Sequence, residues 1–532
     1  MSQTKIDNAL YSRISRRDFL KYSAVTGAGV ALGAHGLAQG TAGGSFNWLV
    51  HHEVAGLSPN FSGATIQLVI ITNVLDPLFI VNHATDTEPV LATDWSVSDD
   101  GLTFTVNLKQ GVIFHNGDPF TAADVKYTYE FYAQPGNTIA GRFTNMDSVE
   151  VVNDHTVRIH MKRVDASFIR VAGQTGIVNA KYHAAVGESR FATEPIGTGA
   201  FTVATWRPAE FTELVAFNAH HRGAPKISRI RFEVVPEPSV RFIALLTGDA
   251  DSTVWPISTE DALDLEKDPN FTVFRTPSNS PRMIFLNNTH PALSDRELRR
   301  AMLRAIDRQR IIDDLESGLG VIATSHLAPH NAQYYNPNVP EYPYDPEAAK
   351  AQLDAAGWLP GPGGIRVKDG VRASFTCTTL SGDATRRPMA ELTQIFLREV
   401  GVEMLLAEAP LATVQQGLLD GSIDASLFNW TMGTVVDPNP LATLSSNGGN
   451  NYNRFRSEEM DRLIQEGVAV VDPDLRKPVY DRTQELFAEE VPCLILHYNL
   501  SMSVFANTVK GLPENVLTSD PLWFRGHEYS RG

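Results

Sequence analysis

The chain opens with Ser15-Arg16-Arg17-Asp18-Phe19-Leu20-Lys21 and then runs without a charged side chain from Tyr22 to Ala38. A basic start, an uncharged stretch and a small-x-small site, here Gly36-Leu37-Ala38, have the plan of a cleaved leader. The stretch is rich in glycine (Gly27, Gly29, Gly33, Gly36) and poor in strongly apolar side chains. A membrane-spanning helix needs ~20 predominantly apolar residues, so an export tag is the better reading. This removes residues 1–38 from the fold and predicts a working protein that starts near Gln39, outside the cytoplasm. The paired arginines followed by Phe-Leu-Lys look like a twin-arginine signal, which addresses already folded cargo to its translocase.

With 532 residues, the chain exceeds the usual size of a single domain, and two or three domains are expected. Apolar residues at 43% and charged residues at 20% are ordinary for a soluble globular protein. The net charge of -16 falls to -19 once the leader leaves with its five basic and two acidic residues. Such an acidic surface repels phosphate backbones and anionic headgroups, which argues against nucleic acid and against direct membrane binding. After residue 38 the most apolar segment, Ala64 to Val81, is interrupted by Gln67, Asn73, Asp76 and Pro77. The two cysteines, Cys377 and Cys493, sit in the apolar runs FTCTTL and VPCLILHY. A disulfide is chemically allowed after export, but buried thiols fit those runs better. Neither cysteine lies near the cleavage site, so no lipid attachment is expected there.

Strands and helices alternate irregularly along the rest. Leu102–Leu108 alternates apolar and polar residues with period two, as in a half-buried strand fed by the turn Asp99-Asp100-Gly101. Thr121-Ala122-Ala123-Asp124 has the spacing of a capping box. Further strands are expected at 156–161 and 211–217. Helical spacing of Leu298, Ala301, Met302, Ala305, Ile306 and Ile312 predicts one helix over 295–315, with Asp307 and Arg308 as an ion pair on its surface. Other helices are expected at 346–356, where Pro346 starts and Gly357 ends the run, and at 385–400, 457–468 and 474–490. This mixture predicts α/β lobes rather than a barrel.

The run LATDWSVSDDGLTFTVNLKQGVIFHNGDPFTAADVKYTYE, residues 91–130, resembles the signature of the extracytoplasmic solute-binding proteins of family 5, the peptide- and nickel-type receptors of ABC importers. The likeness continues in Pro195-Ile196-Gly197-Thr198-Gly199-Ala200-Phe201, in Arg241–Asp251, in Arg299-Arg300-Ala301 with Ala305-Ile306-Asp307-Arg308, and in Tyr344–Ala348 with Ala356-Gly357-Trp358. It covers roughly residues 45–515. Where the family has aromatics ahead of Arg222-Gly223, this chain has His220 and His221.

The resemblance implies a two-lobed, type II periplasmic-binding-protein-like fold with an extra domain in the first lobe. The first lobe would combine 39–84, 193–275 and 501–532, the extra domain 85–192, and the second lobe 276–500. The implied role is that of a monomeric periplasmic receptor, not an enzyme and needing no cofactor, that closes on a peptide or peptide-like solute and hands it to a membrane permease and its ATPase. Solute favours the closed form only through contacts with both lobes.

By the same resemblance the solute contacts fall in Asn429, Trp430, Thr431, Met432 and the loop to Asp437, with Trp430 either a stacking wall or a core residue. Arg386 is a candidate partner for a solute carboxylate, or part of a solvated helix face. Many peptide receptors carry an aspartate three residues after this tryptophan; this chain has Gly433. Asp437 is then either a substitute ammonium partner or the turn residue of an Asp-Pro element. The weakened ammonium anchor keeps a sugar, an opine or another non-peptide solute open. No metal site is expected, because neighbours such as His51-His52 or His220-His221 point to opposite faces of a strand. A twin-arginine-exported enzyme is the rival class, but the chain has no G-x-S-x-G elbow, no H-E-x-x-H helix and no P-loop.

Overall fold

One strand, Cys493–Ala506, organises the molecule. Its first half pairs antiparallel with Arg282–Leu286 and Gly320–Ile322. Its second half pairs antiparallel with Phe271–Pro277 and touches Ser252–Thr253. A single twelve-stranded sheet results. On one side it extends through Ala425–Asn429, Ser374–Leu380 and Glu403–Ala409, and on the other through Ser45–Val50, Arg229–Val234, Phe211–Ala216 and Phe201–Arg207. The chain passes from one half to the other at 278–281 and returns at 498–499, where Ser278 N–H donates to Asn499 O at 2.8 Å. The computed structural model describes residues 43–61, 65–82, 86–254, 257–381, 386–429, 438–514, 516–517 and 521–532.

Period two decides where the cores lie. In Arg282–Leu286, Ile284 and Leu286 face one core and Met283 and Phe285 another, so this part of the sheet is covered on both faces. Helices Arg296–Ala305, Pro346–Ala355 and Arg386–Glu399 contribute to the first of these cores, and Leu411–Asp420, Glu458–Ala469 and Pro473–Glu490 to the second.

A separate antiparallel sheet, in the order Ala92–Val97, Thr103–Leu108, Thr156–Met161, Met146–Asn153, is built from the signature region. Phe104, Val106 and Leu108 point inward at every second position. They meet Val125 and Tyr129 of helix Ala122–Tyr132 and Phe168, whose ring lies 5.7 Å from that of Phe104. That helix begins as its spacing predicts: Thr121 N–H donates to the Asp124 carboxylate at 2.9 Å, and the other carboxylate oxygen accepts from Ala180 N–H at 2.9 Å. This sheet and the Ser45–Val50 side of the large sheet share one core that includes Trp48, Phe232 and Trp523.

The glycines of Pro195–Phe201 have a packing reason. Gly199 and Phe201 donate backbone hydrogen bonds to Val74 O and Asn73 O at 3.0 Å. A Cβ on Gly197 would stand 2.1 Å from Val74 O, and one on Gly199 2.5 Å from Val74 C. Only glycine allows the two backbones to lie this close.

Two expectations need correction. The helix expected over 295–315 is two helices, Arg296–Ala305 and Arg308–Leu315, because Asp307 caps the second by accepting from Arg310 N–H at 3.0 Å. Nor do Asp307 and Arg308 form a surface ion pair: Arg308 is buried and donates to Ala323 O and Tyr342 O at 2.8 Å each. Cys377 and Cys493 are separate buried thiols.

These roles predict unequal costs. Asp307→Ala removes a cap and should cost about 1 kcal/mol, whereas Arg308→Met strips two buried carbonyls of a charged donor and should cost about 2–3 kcal/mol. Urea denaturation of the two variants checks the order, and an equal or inverted shift in midpoint would contradict it.

Candidate functional site

The crossing between the two halves is where polar side chains gather inside an otherwise apolar sheet. Glu316 stands against both passing segments, 3.4 Å from Arg282 Nε on one and 3.5 Å from His497 Nε2 on the other. Burial alone would raise the Glu316 carboxyl, but the hydrogen bonds of His497 and Asn499 and the charge of Arg282 hold it below its usual value. On the 278–281 segment, Asn279 Oδ1 lies 2.5 Å from His330 Nε2. Main-chain contact continues from Leu500 N–H to Leu319 O at 3.2 Å.

The expected solute contacts approach the same place. Asn429 ends strand Ala425–Asn429 directly opposite Arg282, so the chain leaves this strand beside the crossing. Trp430, Thr431, Met432 and Asp437 lie outside the described residues. Arg386, at the first turn of its helix, is half-buried with its guanidinium 5.0 Å from the centre of the Phe428 ring. Burial lowers its pKa and the nearby Arg282 lowers it further. The guanidinium of Arg386 over an aromatic face is a position from which an anionic group can be met. Arg387 is separated from this arrangement: it is exposed and bonded to Glu391 at 2.9 Å and Glu408 at 2.5 Å.

Arg282, Glu316, His497 and Asn499 belong to no motif read from the sequence. The available signal was chemical: Arg282 in PRMIFL and His497 in LILHYNL are polar groups inside runs that must be buried.

A second cluster lies elsewhere, at the junction of segments 73–78, 197–201 and 217–223. His115 is hydrogen-bonded there, its Nε2 2.9 Å from Gly199 O and its Nδ1 accepting from Gly197 N–H at 3.2 Å. His220 and His221 do not behave as neighbours on a strand. They occupy a turn, with His220 N–H bonded to Phe217 O and Gly223 N–H to His220 O, and both rings turn toward Asp76. The opposite-faces argument therefore fails for this pair.

Comparison with known proteins settles the family. A model of the bacterial extracellular solute-binding proteins, family 5, matches residues 86–452. The chain belongs to this family. Heme-binding protein A of Haemophilus influenzae is 26% identical over 473 residues, covering 83% of this chain and 84% of the relative. The oligopeptide-binding protein AppA of Bacillus subtilis is 27% identical over 436 residues, covering 79% and 78%. The structure of AppA in complex with a nonapeptide superposes with a TM-score of 0.71 at 22% identity, covering 92% of this chain and all of that one.

The family fold is α/β and two-lobed with an extra domain. Family 5 proteins are substrate-binding components of transport systems that work with an ABC permease. Residues 13–33 match a twin-arginine signal, so the protein is exported and acts in the periplasm. Among the described residues no helix is long and apolar enough to cross a membrane.

Burial holds several histidines neutral: His330 is pushed down to about 4 and His326 and His527 to about 3. Their folded values lie below the unfolded one near 6.5, so the unfolded chain takes up protons first as pH falls. Stability should be complete above about pH 6.5 and decline progressively towards about pH 4. Urea midpoints measured through that interval check this, and a flat profile would contradict it.

Proposed function

We propose that this protein is the periplasmic receptor of an ABC importer, that it captures a peptide or peptide-like solute by closing its lobes, and that Arg386 holds a carboxylate of that solute. The observation that carries this reading is the placement of Arg386 and the end of Ala425–Asn429 beside the crossing. A solute held there lies near the pivot and can touch both lobes, which is what ties occupancy to closure. Asn429, Trp430, Thr431, Met432 and Asp437 supply the remaining contacts, with Trp430 as a wall for stacking. The working divisions are 39–84 with 193–275 and 501–532 for the first lobe, 85–192 for the extra domain and 276–500 for the second lobe. The protein acts as a monomer and breaks no bond in its cargo. The family membership and the peptide complex of AppA support this reading.

A non-peptide solute is favoured by one observation, Gly433 in place of an acidic side chain that would hold a peptide ammonium. A sugar or opine then takes the same place, and a carboxylate-bearing opine would still use Arg386.

Calorimetric titration with di- and oligopeptides and with a sugar and opine panel separates these outcomes. A peptide should bind, its C-terminal amide should bind more weakly, and Arg386→Ala should weaken the free acid by about tenfold or more, the worth of a charged hydrogen bond. Binding of sugars alone would overturn the peptide reading, and an unchanged affinity in Arg386→Ala would remove the anchor.

A further inference from the structure

Asp76, His220 and His221 lie together in a way that the solute site does not use. One ring nitrogen from each histidine and one oxygen of the Asp76 carboxylate all fall within 4.8 Å of one another. His221 Nε2 is 3.0 Å from Asp76 Oδ2, and His220 Nε2 is 3.4 Å from the same oxygen. Thr198 Oγ1 donates to that oxygen at 3.0 Å and fixes the carboxylate from the 197–201 segment of the junction. We infer that these three side chains form a binding site for a divalent first-row transition metal ion such as Zn2+ or Ni2+.

The donor set is the first reason. Two imidazoles and one carboxylate suit zinc, nickel and their neighbours and are poorly suited to calcium or magnesium, which prefer oxygen throughout.

Burial is the second reason. The His220 side chain is only 1% exposed, and its Nε2 and that of His221 both reach the buried Asp76 carboxylate, so the donors are already gathered away from water. A metal ion that accepts the two Nε2 lone pairs would find its donors already converging.

Backbone construction is the third reason. The Gly197 and Gly199 contacts with residues 73–75 set Thr198 on Asp76, and Phe217 N–H on Ala200 O at 2.8 Å brings the histidine turn to the same place. The cations nearby are largely answered already: Glu88 lies 2.8 Å from both Arg222 and Arg525, which leaves Lys109 as a cation close enough for Asp76 to act on it.

All three donors come from segments flanked by residues of the first lobe's core, among them Leu75, Leu78 and Ala216. A metal ion here touches one lobe only. It would therefore pin the junction of three segments and bind whether or not the lobes close, independently of the solute.

The test uses the exported protein without an affinity tag, stripped with a chelator and titrated calorimetrically with zinc chloride and, separately, nickel chloride. One equivalent should bind, and the thermal midpoint should rise with metal. His221→Ala and His220→Gln should each lose that step, whereas His52→Ala should keep it. Should His220→Gln fail to fold, His221→Ala, at the more exposed ring, still decides, and X-ray absorption on the wild-type complex should count two imidazoles at the metal. Absence of a one-to-one step, its survival in His221→Ala, or a metal shell without imidazole would each overturn the site.

Discussion

Continuous pairing along Cys493–Ala506 is the constraint on which the architecture rests. Its side chains enter four cores: Leu494 and Leu496 one, Cys493 and Ile495 a second, Met502 and Val504 a third, and Phe505 the fourth. A strand used in this way cannot slip by one residue without turning every one of these side chains to the wrong face. The two halves of the large sheet are therefore held in register by one element. The chain crosses between these halves at 278–281 and 498–499. Glu316, Arg282 and His497 sit beside that crossing.

The sequence motifs serve mostly to build this frame. Arg299 donates to Val491 O at 2.8 Å, to Leu293 O at 2.9 Å, to Ser294 O at 3.0 Å and to Glu490 O at 2.8 Å, which ties its helix to the residues entering the long strand. Arg308 does the same for two other carbonyls. Guanidinium groups suit this task because they present several donors in one plane and stay charged when buried. The glycines of Pro195–Phe201 allow two backbones to touch. Residues that carry a family likeness can thus be scaffold.

Local order was readable wherever a short-range pattern decides the outcome. Strand Thr103–Leu108, the capping box at Thr121 and helix Pro346–Ala355 depend on neighbours within a few residues, and each is found close to its expected place. Helix 295–315 was misread because the apolar spacing continues through Ile306 and Asp307. The break is decided by Asp307 capping a new helix while Arg308 turns inward to distant carbonyls. The histidine pair was misread for a similar reason, since adjacency implies opposite faces only on a strand. Of the expected solute contacts, Arg386 and the strand position of Asn429 converge on the crossing, and Arg387 parts from them into a surface ion network.

By itself the sequence determined the export route, the α/β class, the family and most of the helix and strand starts, because these follow from composition, periodicity and motifs of neighbouring residues. Tertiary structure alone decided that Arg282, Glu316 and His497 meet at the crossing and that Asp76 meets His220 and His221. The partners in each cluster lie tens to hundreds of positions apart in the chain. Such encounters depend on which strands pair and which backbones can touch, and no local periodicity encodes them.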